Sequence, residues 1–179
     1  MNKKVTKAGK YMSLLLRHKP EAEHLDMDKY GYVKVKQLLT ALDIKMSDLE
    51  EIVESNNKKR FSFSSDKRKI RANQGHSIDV DLGLEPIIPP KILYHGTATK
   101  FLDSIYDKGI VKGERQHVHL STDIETAKSV GKRHGTIVIL EIDAKQMNEN
   151  GIDFYLSENG VWLTDYIDEV YIIDEIYNV

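Results

Sequence analysis

The chain has no cysteine, which excludes disulfides, thiolate metal sites and a cysteine nucleophile. It has one tryptophan and only four prolines in 179 residues. No stretch approaches the roughly 20 consecutive apolar residues that a membrane span requires. The polar opening, Met1 to Lys10, lacks the apolar core of a secretory signal, so a cytoplasmic protein is expected. The seven histidines are scattered, with no His-x-x-x-His pair and no matching carboxylate set, and no metal is expected. What is present is 40% apolar residues, enough for one good core or two small ones.

The formal net charge of -2 hides an asymmetry. Residues 1–90 carry 17 Lys and Arg against 13 Asp and Glu, a net of +4, whereas residues 91–179 carry 9 against 15, a net of -6. A polyanionic partner should therefore meet the N-terminal half first, because phosphate contacts draw on Lys and Arg.

Pro86, Pro89 and Pro90 crowd one short stretch that can neither continue a helix nor sit in a central strand, so 86–91 reads as a linker. Before it, apolar spacing predicts helices over Lys7–Arg17, Val35–Ala41 and Met46–Glu54, the last capped by Ser47 with Glu50 three residues on. Gly31-Tyr32-Val33 reads as a short strand. Arg60–Ser64 and Lys69–Ala72 alternate with period two around a Ser65-Asp66 turn, which predicts a hairpin. Helices followed by a hairpin describe a winged-helix unit over 1–85. After the linker, 92–179 alternates helices (Phe101–Lys108, Ile124–Arg133) with strands at Ile92–Tyr94, Val118–Leu120, Thr136–Ile142, Val161–Leu163 and Val170–Ile173. The fold class expected is α+β.

The chemistry begins with Tyr94-His95-Gly96-Thr97 and His117-Val118-His119-Leu120-Ser121. A polar histidine beside strand-like segments, with a glycine and hydroxyls next to it, points to a pocket for a nucleotide-like ligand, Gly96 letting the backbone come close to it. In the first half, Arg17 ends an apolar helix, where its planar fork can grip a phosphate. Lys58 and Arg60 fall on one side of an extended chain, opposite Lys59 and Phe61. Arg71, Gln74, Gly75 and His76 add donors after the hairpin, suited to RNA phosphate or ribose.

Leu-Leu-Arg-His at 15–18, Asn-Lys-Lys-Arg-Phe at 57–61, the Gln-Gly-His-Ser that ends 71–77, Tyr-His-Gly-Thr at 94–97, His-Val-His-Leu-Ser at 117–121, Gly-Lys-Arg-His-Gly at 131–135 and Asn-Gly-Val-Trp-Leu-Thr at 159–164 together resemble the NAD-dependent RNA 2'-phosphotransferases of the KptA type, in order and spacing over nearly the whole chain. The resemblance implies an N-terminal winged-helix RNA lobe and a C-terminal lobe with the ADP-ribosyltransferase fold. It also implies NAD as co-substrate, an RNA with an internal 2'-phosphate as partner, no metal, and a single chain as the working unit.

By the same resemblance, Arg17, Lys58, Arg60 and Arg133 form the cationic catalytic group, and His18, Arg71, Gln74 and His76 meet RNA. His95, Gly96, Thr97, His119 and Ser121 line the cofactor, with His119 preferred to His117 because Leu120 and Ser121 follow it directly. Many protein-modifying ADP-ribosyltransferases carry a glutamate where this chain reads Gly160-Val161-Trp162. Val161 does no acid-base work, which favours an acceptor that is already nucleophilic, as a phosphate is. Two other readings stand beside this one: an ADP-ribosyltransferase acting on nucleic-acid terminal phosphates, and a non-catalytic winged-helix nucleic-acid-binding protein. The helix Val35–Ala41 is poor in the Arg and Asn that read a groove, which weighs against the second.

Overall fold

The computed structural model describes residues 3–56, 58–132 and 135–177. The chain divides into two compact units, Met1–Gly83 and Leu84–Val179, each with its own apolar core. Helices mix with small antiparallel sheets in both, so the architecture is α+β. Among the described residues no helix is long and apolar enough to cross a membrane.

The first unit runs α1 (Lys3–Arg17), β1 (Val33–Lys34), α2 (Val35–Leu42), α3 (Met46–Glu54), β2 (Phe61–Phe63) and β3 (Lys69–Ala72). Helix α1 starts four residues before the sequence-based estimate because Val5 and Ala8 extend the buried stripe of Met12, Leu15 and Leu16. It packs on α2, α3 and β3. The span of α3 is as expected, but its cap is not: the Lys45 N–H donates to Asp48 Oδ2 at 3.1 Å, so Ser47 lies inside the helix. A carboxylate at the third helical position reaches back to the capping amide, and Ser47, at the second, is one residue too early to do so. β3 is the centre of the sheet β1-β3-β2, with Val33 opposite Ile70 and Phe61 opposite Ala72. In the hairpin turn the Ser64 hydroxyl donates to Asp66 Oδ1 at 2.7 Å, and Lys67 takes a positive φ of 54°.

The second unit contains β4 (Ile92–Ala98), α4 (Leu102–Lys108), β5 (Ile110–Val111), β6 (Val118–Leu120), α5 (Ile124–Gly131), β7 (Ile137–Asp143), α6 (Ala144–Glu149), β8 (Tyr155–Leu156), β9 (Trp162–Thr164), β10 (Tyr166–Ile167) and β11 (Ile172–Ile176). They form the sheets β11-β7-β4 and β6-β9-β8 and the pair β10-β5. The Pro-rich segment belongs to this unit: the Ile87 N–H donates to the Phe154 carbonyl at 2.8 Å, and Pro89 is buried. β4 runs seven residues rather than three, so Tyr94-His95-Gly96-Thr97 lies inside a strand paired along its length with β7. Helix α6 follows β7 with no intervening loop, capped by Asp143, whose Oδ1 accepts from the Gln146 N–H at 3.0 Å. That abrupt change of period hides it from a sequence reading. Val170 sits in a short 3-10 turn, Glu169–Tyr171, ahead of β11.

Candidate active site

In the first unit, Arg17, His18, Arg71 and His76 converge. The Ser77 N–H donates to the Arg17 carbonyl at 3.0 Å, which ties the segment after β3 to the end of α1. His18 Nδ1 lies 2.8 Å from Ser77 Oγ. The Arg17 guanidinium sits over the Phe61 ring at 5.7 Å, and Arg71 over Tyr32 at 4.8 Å, so two cations are held by aromatic faces. Gln74 is half-buried in the loop after β3, next to Gly75 at φ 84°.

His76 is the exception among the expected RNA contacts, since it is only 1% exposed. Both of its ring nitrogens are buried without a hydrogen-bond partner. Burial, reinforced by the charges of Arg17, His18 and Arg71, pushes its pKa down to about 4. The ring is therefore neutral at physiological pH, an uncharged post within a cationic group.

Lys58 and Arg60 reach their positions differently from the alternation expected of an extended chain. Lys59 takes φ 40° and the strand starts only at Phe61, so the segment is a turn. Asn56 organises it: its Oδ1 accepts from the Lys58 N–H at 3.2 Å and from Arg60 Nη1 at 3.3 Å. Buried Asn73 clamps the other side, donating from Nδ2 to the Lys59 carbonyl at 2.7 Å while its N–H donates to the Arg60 carbonyl at 2.9 Å. The Lys58 side chain is exposed. Arg133 lies outside the described residues.

In the second unit, a bridge between β4 and the end of β6 joins the two histidine motifs. The N–H groups of Tyr94 and Ser121 each donate to the other's carbonyl at 2.9 Å. That bridge brings His95 to His119, and His95 Nδ1 donates to the His119 carbonyl at 3.1 Å. In β6, Val118 and Leu120 are buried while His119 points to the other face. Thr97, deeper in β4, is 7% exposed.

Gly96 is set closely against helix α5. A Cβ there would overlap the Ala127 carbonyl, and one at Gly131 would meet the Thr97 carbonyl oxygen at 2.9 Å. The two glycines let α5 lie directly on β4. His117 packs against Tyr155, ring centres 5.8 Å apart. Burial lowers its pKa against the pull of Asp165, with Lys112 adding to the lowering. The contact of His95 in β6 is with the backbone carbonyl of His119.

One polar partner escapes a sequence reading altogether. Arg115 Nη1 lies 3.1 Å from His119 Nδ1. Four residues in an extended chain span about 13 Å, so the spacing itself argues against contact. The chain bends over 115–117 instead, directly after a turn in which the Arg115 N–H donates to the Lys112 carbonyl at 3.2 Å and Gly113 takes φ 60°. Among the described residues no group of His, Asp and Glu is gathered to hold a metal ion.

The profile of the family described as RNA 2'-phosphotransferase, Tpt1 / KptA family, matches residues 3–166. The chain belongs to this family. Relatives named probable RNA 2'-phosphotransferase include one from Fusobacterium nucleatum, 54% identical over 172 residues that cover 93% of this chain and 96% of the relative. Another, from Hahella chejuensis, is 50% identical over 177 residues, 96% of this chain and 95% of its own. A third, from Acaryochloris marina, is 48% identical over 179 residues, 97% and 99% respectively. The RNA 2'-phosphotransferase match takes in both polar groups, from Arg17 to the β6 histidines, and ends at β10, short of β11.

Proposed function

We propose that this enzyme removes an internal 2'-phosphate from RNA, of the kind left at a tRNA splice junction, with NAD as the acceptor. The family match over residues 3–166 carries the reading, and the bond from the His95 ring to the His119 carbonyl supports it by joining two motifs 24 residues apart. The first unit is read as a winged-helix RNA lobe over 1–85, supported by the element order α1-β1-α2-α3-β2-β3 and by β3 at the centre of its sheet. The second, 92–179 beyond the proline-rich 86–91, is read as an ADP-ribosyltransferase-like lobe that binds NAD. The donor set suits NAD, an anionic and hydroxyl-rich co-substrate, since the His95 ring reaches the His119 carbonyl and the His119 ring reaches Arg115.

In the reaction, a 2'-phosphate oxygen attacks C1'' of the nicotinamide ribose, and nicotinamide leaves with the electron pair of the broken C–N bond. The ribose 2''-hydroxyl then attacks phosphorus and the RNA O2' departs, taking up a proton. The products are RNA 2'-OH and ADP-ribose 1'',2''-cyclic phosphate. The nucleophile of the first step is already an anion, so no general base is needed and Val161 is no handicap.

Charge neutralisation is the enzyme's contribution, and Arg17, Lys58, Arg60 and Arg133 supply it. The arginines stay protonated at any working pH. Arg71 and His18 extend the positive field toward RNA phosphates, with Gln74 as a neutral donor and His76 as support behind them. On the cofactor side His95, Thr97, His119 and Ser121 orient NAD, while Gly96 seats α5. The deciding experiment incubates the protein with NAD and an RNA carrying one internal 2'-phosphate, without added metal. Phosphate removal with release of nicotinamide is expected; unchanged RNA and no nicotinamide would overturn the reading.

A further inference from the structure

Helix α1 carries no acidic residue anywhere along Lys3–Arg17, yet its first two turns hold Lys3, Lys4 and Lys7. The N-terminus of a helix bears partial positive charge, so cations there work against the macrodipole and acids would be the stabilising choice. Lys4, on the flank of the helix, is neutralised by Asp43 at 3.1 Å. Lys3, Lys7 and Lys10 are exposed and have no carboxylate within ion-pair distance among the described residues.

Residues three and four apart lie above one another on a helix surface, so Lys3, Lys7, Lys10 and Leu14 form one row. It faces away from the stripe that α1 buries in the core. The row leads to Arg17 and His18, because the His18 N–H donates to the Leu14 carbonyl at 2.9 Å and continues the helical turn. At 1.5 Å per residue the distance from Lys3 to Arg17 is about 21 Å, the reach of a few nucleotides. Unpaired cations spaced one to a turn, set where they oppose the helix, are the footprint of a polyanion.

We propose that the exposed face of α1 is a track for the RNA strand beside the 2'-phosphate: Lys3, Lys7 and Lys10 meet successive backbone phosphates of that strand. The proposal rests on the reading of the Arg17 group as the place where the RNA 2'-phosphate binds. Ammonium groups meet phosphates without reading bases, so the track supplies affinity and salt dependence for any sequence. It also selects for length, since an RNA that ends at the 2'-phosphate never reaches it. A lipid surface fits less well, because a membrane-lying helix presents its apolar face and α1 buries that face in the core.

The test compares two RNAs that each carry one 2'-phosphate, one ending at the modified dinucleotide and one with long single-stranded flanks. Binding is measured without NAD over a range of salt, and steady-state kinetics follow with NAD present. Lys3→Gln/Lys7→Gln/Lys10→Gln should lower the slope of log Kd against log salt for the long RNA by about 2, at roughly 0.7 per lost phosphate contact. At low salt its KM for the long RNA should rise at least about tenfold, while KM for the short RNA moves less than about twofold. The circular-dichroism melting midpoint should not fall, since Gln is close to Lys as a helix former and the removed cations opposed the dipole. Lys34→Gln/Lys36→Gln, at exposed lysines off the row, is the charge control and should shift the long-RNA slope by less than about 0.5. An unchanged slope in the triple variant, or an equal loss per charge in the control, overturns the proposal while leaving the 2'-phosphate reading intact. Wild-type binding to phosphatidylserine vesicles that the triple substitution abolishes, with RNA binding unmoved, overturns it in favour of a membrane surface. Failure of the wild-type protein to dephosphorylate either RNA overturns the reading and the proposal with it.

Discussion

In the first unit the polar group is gathered around a neutral ring: burial above all, with the charges of Arg17, His18 and Arg71 adding to it, keeps His76 unprotonated. In the second unit each imidazole is matched instead, His95 to a carbonyl and His119 to a guanidinium. The first arrangement sets cations around an uncharged ring, which leaves their charge for an anion. The second sets direction, which a neutral hydroxyl-bearing ligand needs more than charge. One region is therefore built to stabilise charge and the other to orient.

The sharpest way to break that contrast is to remove charge where it is meant to act. Lys58→Ala or Arg60→Ala should slow the second chemical step by about 100-fold or more, and the first step less. ADP-ribosylated RNA should then accumulate and be visible on a gel. Equal slowing of both steps would mean that these cations only recruit RNA.

Next in size comes the scaffold under the orienting histidine. Gly96→Ala forces a methyl into the Ala127 carbonyl, which is backbone and cannot swing aside. A loss of about 3 kcal/mol in unfolding free energy is expected from denaturant titration, at the upper end for overpacking. A small loss would show that α5 can slide on β4.

The burial of His76 has its own signature in pH. Its folded pKa of about 4 lies below the ordinary 6.5, so between those values the unfolded chain takes up a proton that the folded chain refuses. Stability should fall as pH drops through that window, by about 2 kcal/mol between about pH 7.5 and about pH 5. His76→Leu should flatten this part of the slope, and an unchanged slope would show that other groups carry it. The smallest effect is expected at α3, where Asp48→Ala should cost about 1 kcal/mol by circular-dichroism melts and Ser47→Ala almost nothing. The reverse order would restore Ser47 as the cap.

Much of the fold is legible in the sequence wherever one period holds over several residues. α2, α3 and β6 follow from apolar spacing because their buried faces are regular. β5, β8 and β10 are two residues long, too short for any period to show. The histidine motifs stand out by residue type, but their contact depends on the Tyr94–Ser121 bridge, a long-range pairing that composition does not encode. Arg115 is hidden for the opposite reason: it is close in sequence at a spacing that extended geometry disfavours, and the bend over 115–117 brings it to His119. Lys58 and Arg60 are recognisable as a pair, yet Asn56 and Asn73 set their geometry, and neither announces that role in the sequence.

The single tryptophan has a practical consequence. Trp162 is buried in β9, directly opposite Leu120 and so one position along from His119, and the first unit contains no indole at all. Emission excited at the red edge of protein absorption therefore reports on the second unit alone. A titration with NAD or a melt followed in that channel tracks the orienting half of the molecule without labelling, and comparison with far-ultraviolet circular dichroism separates it from the other half.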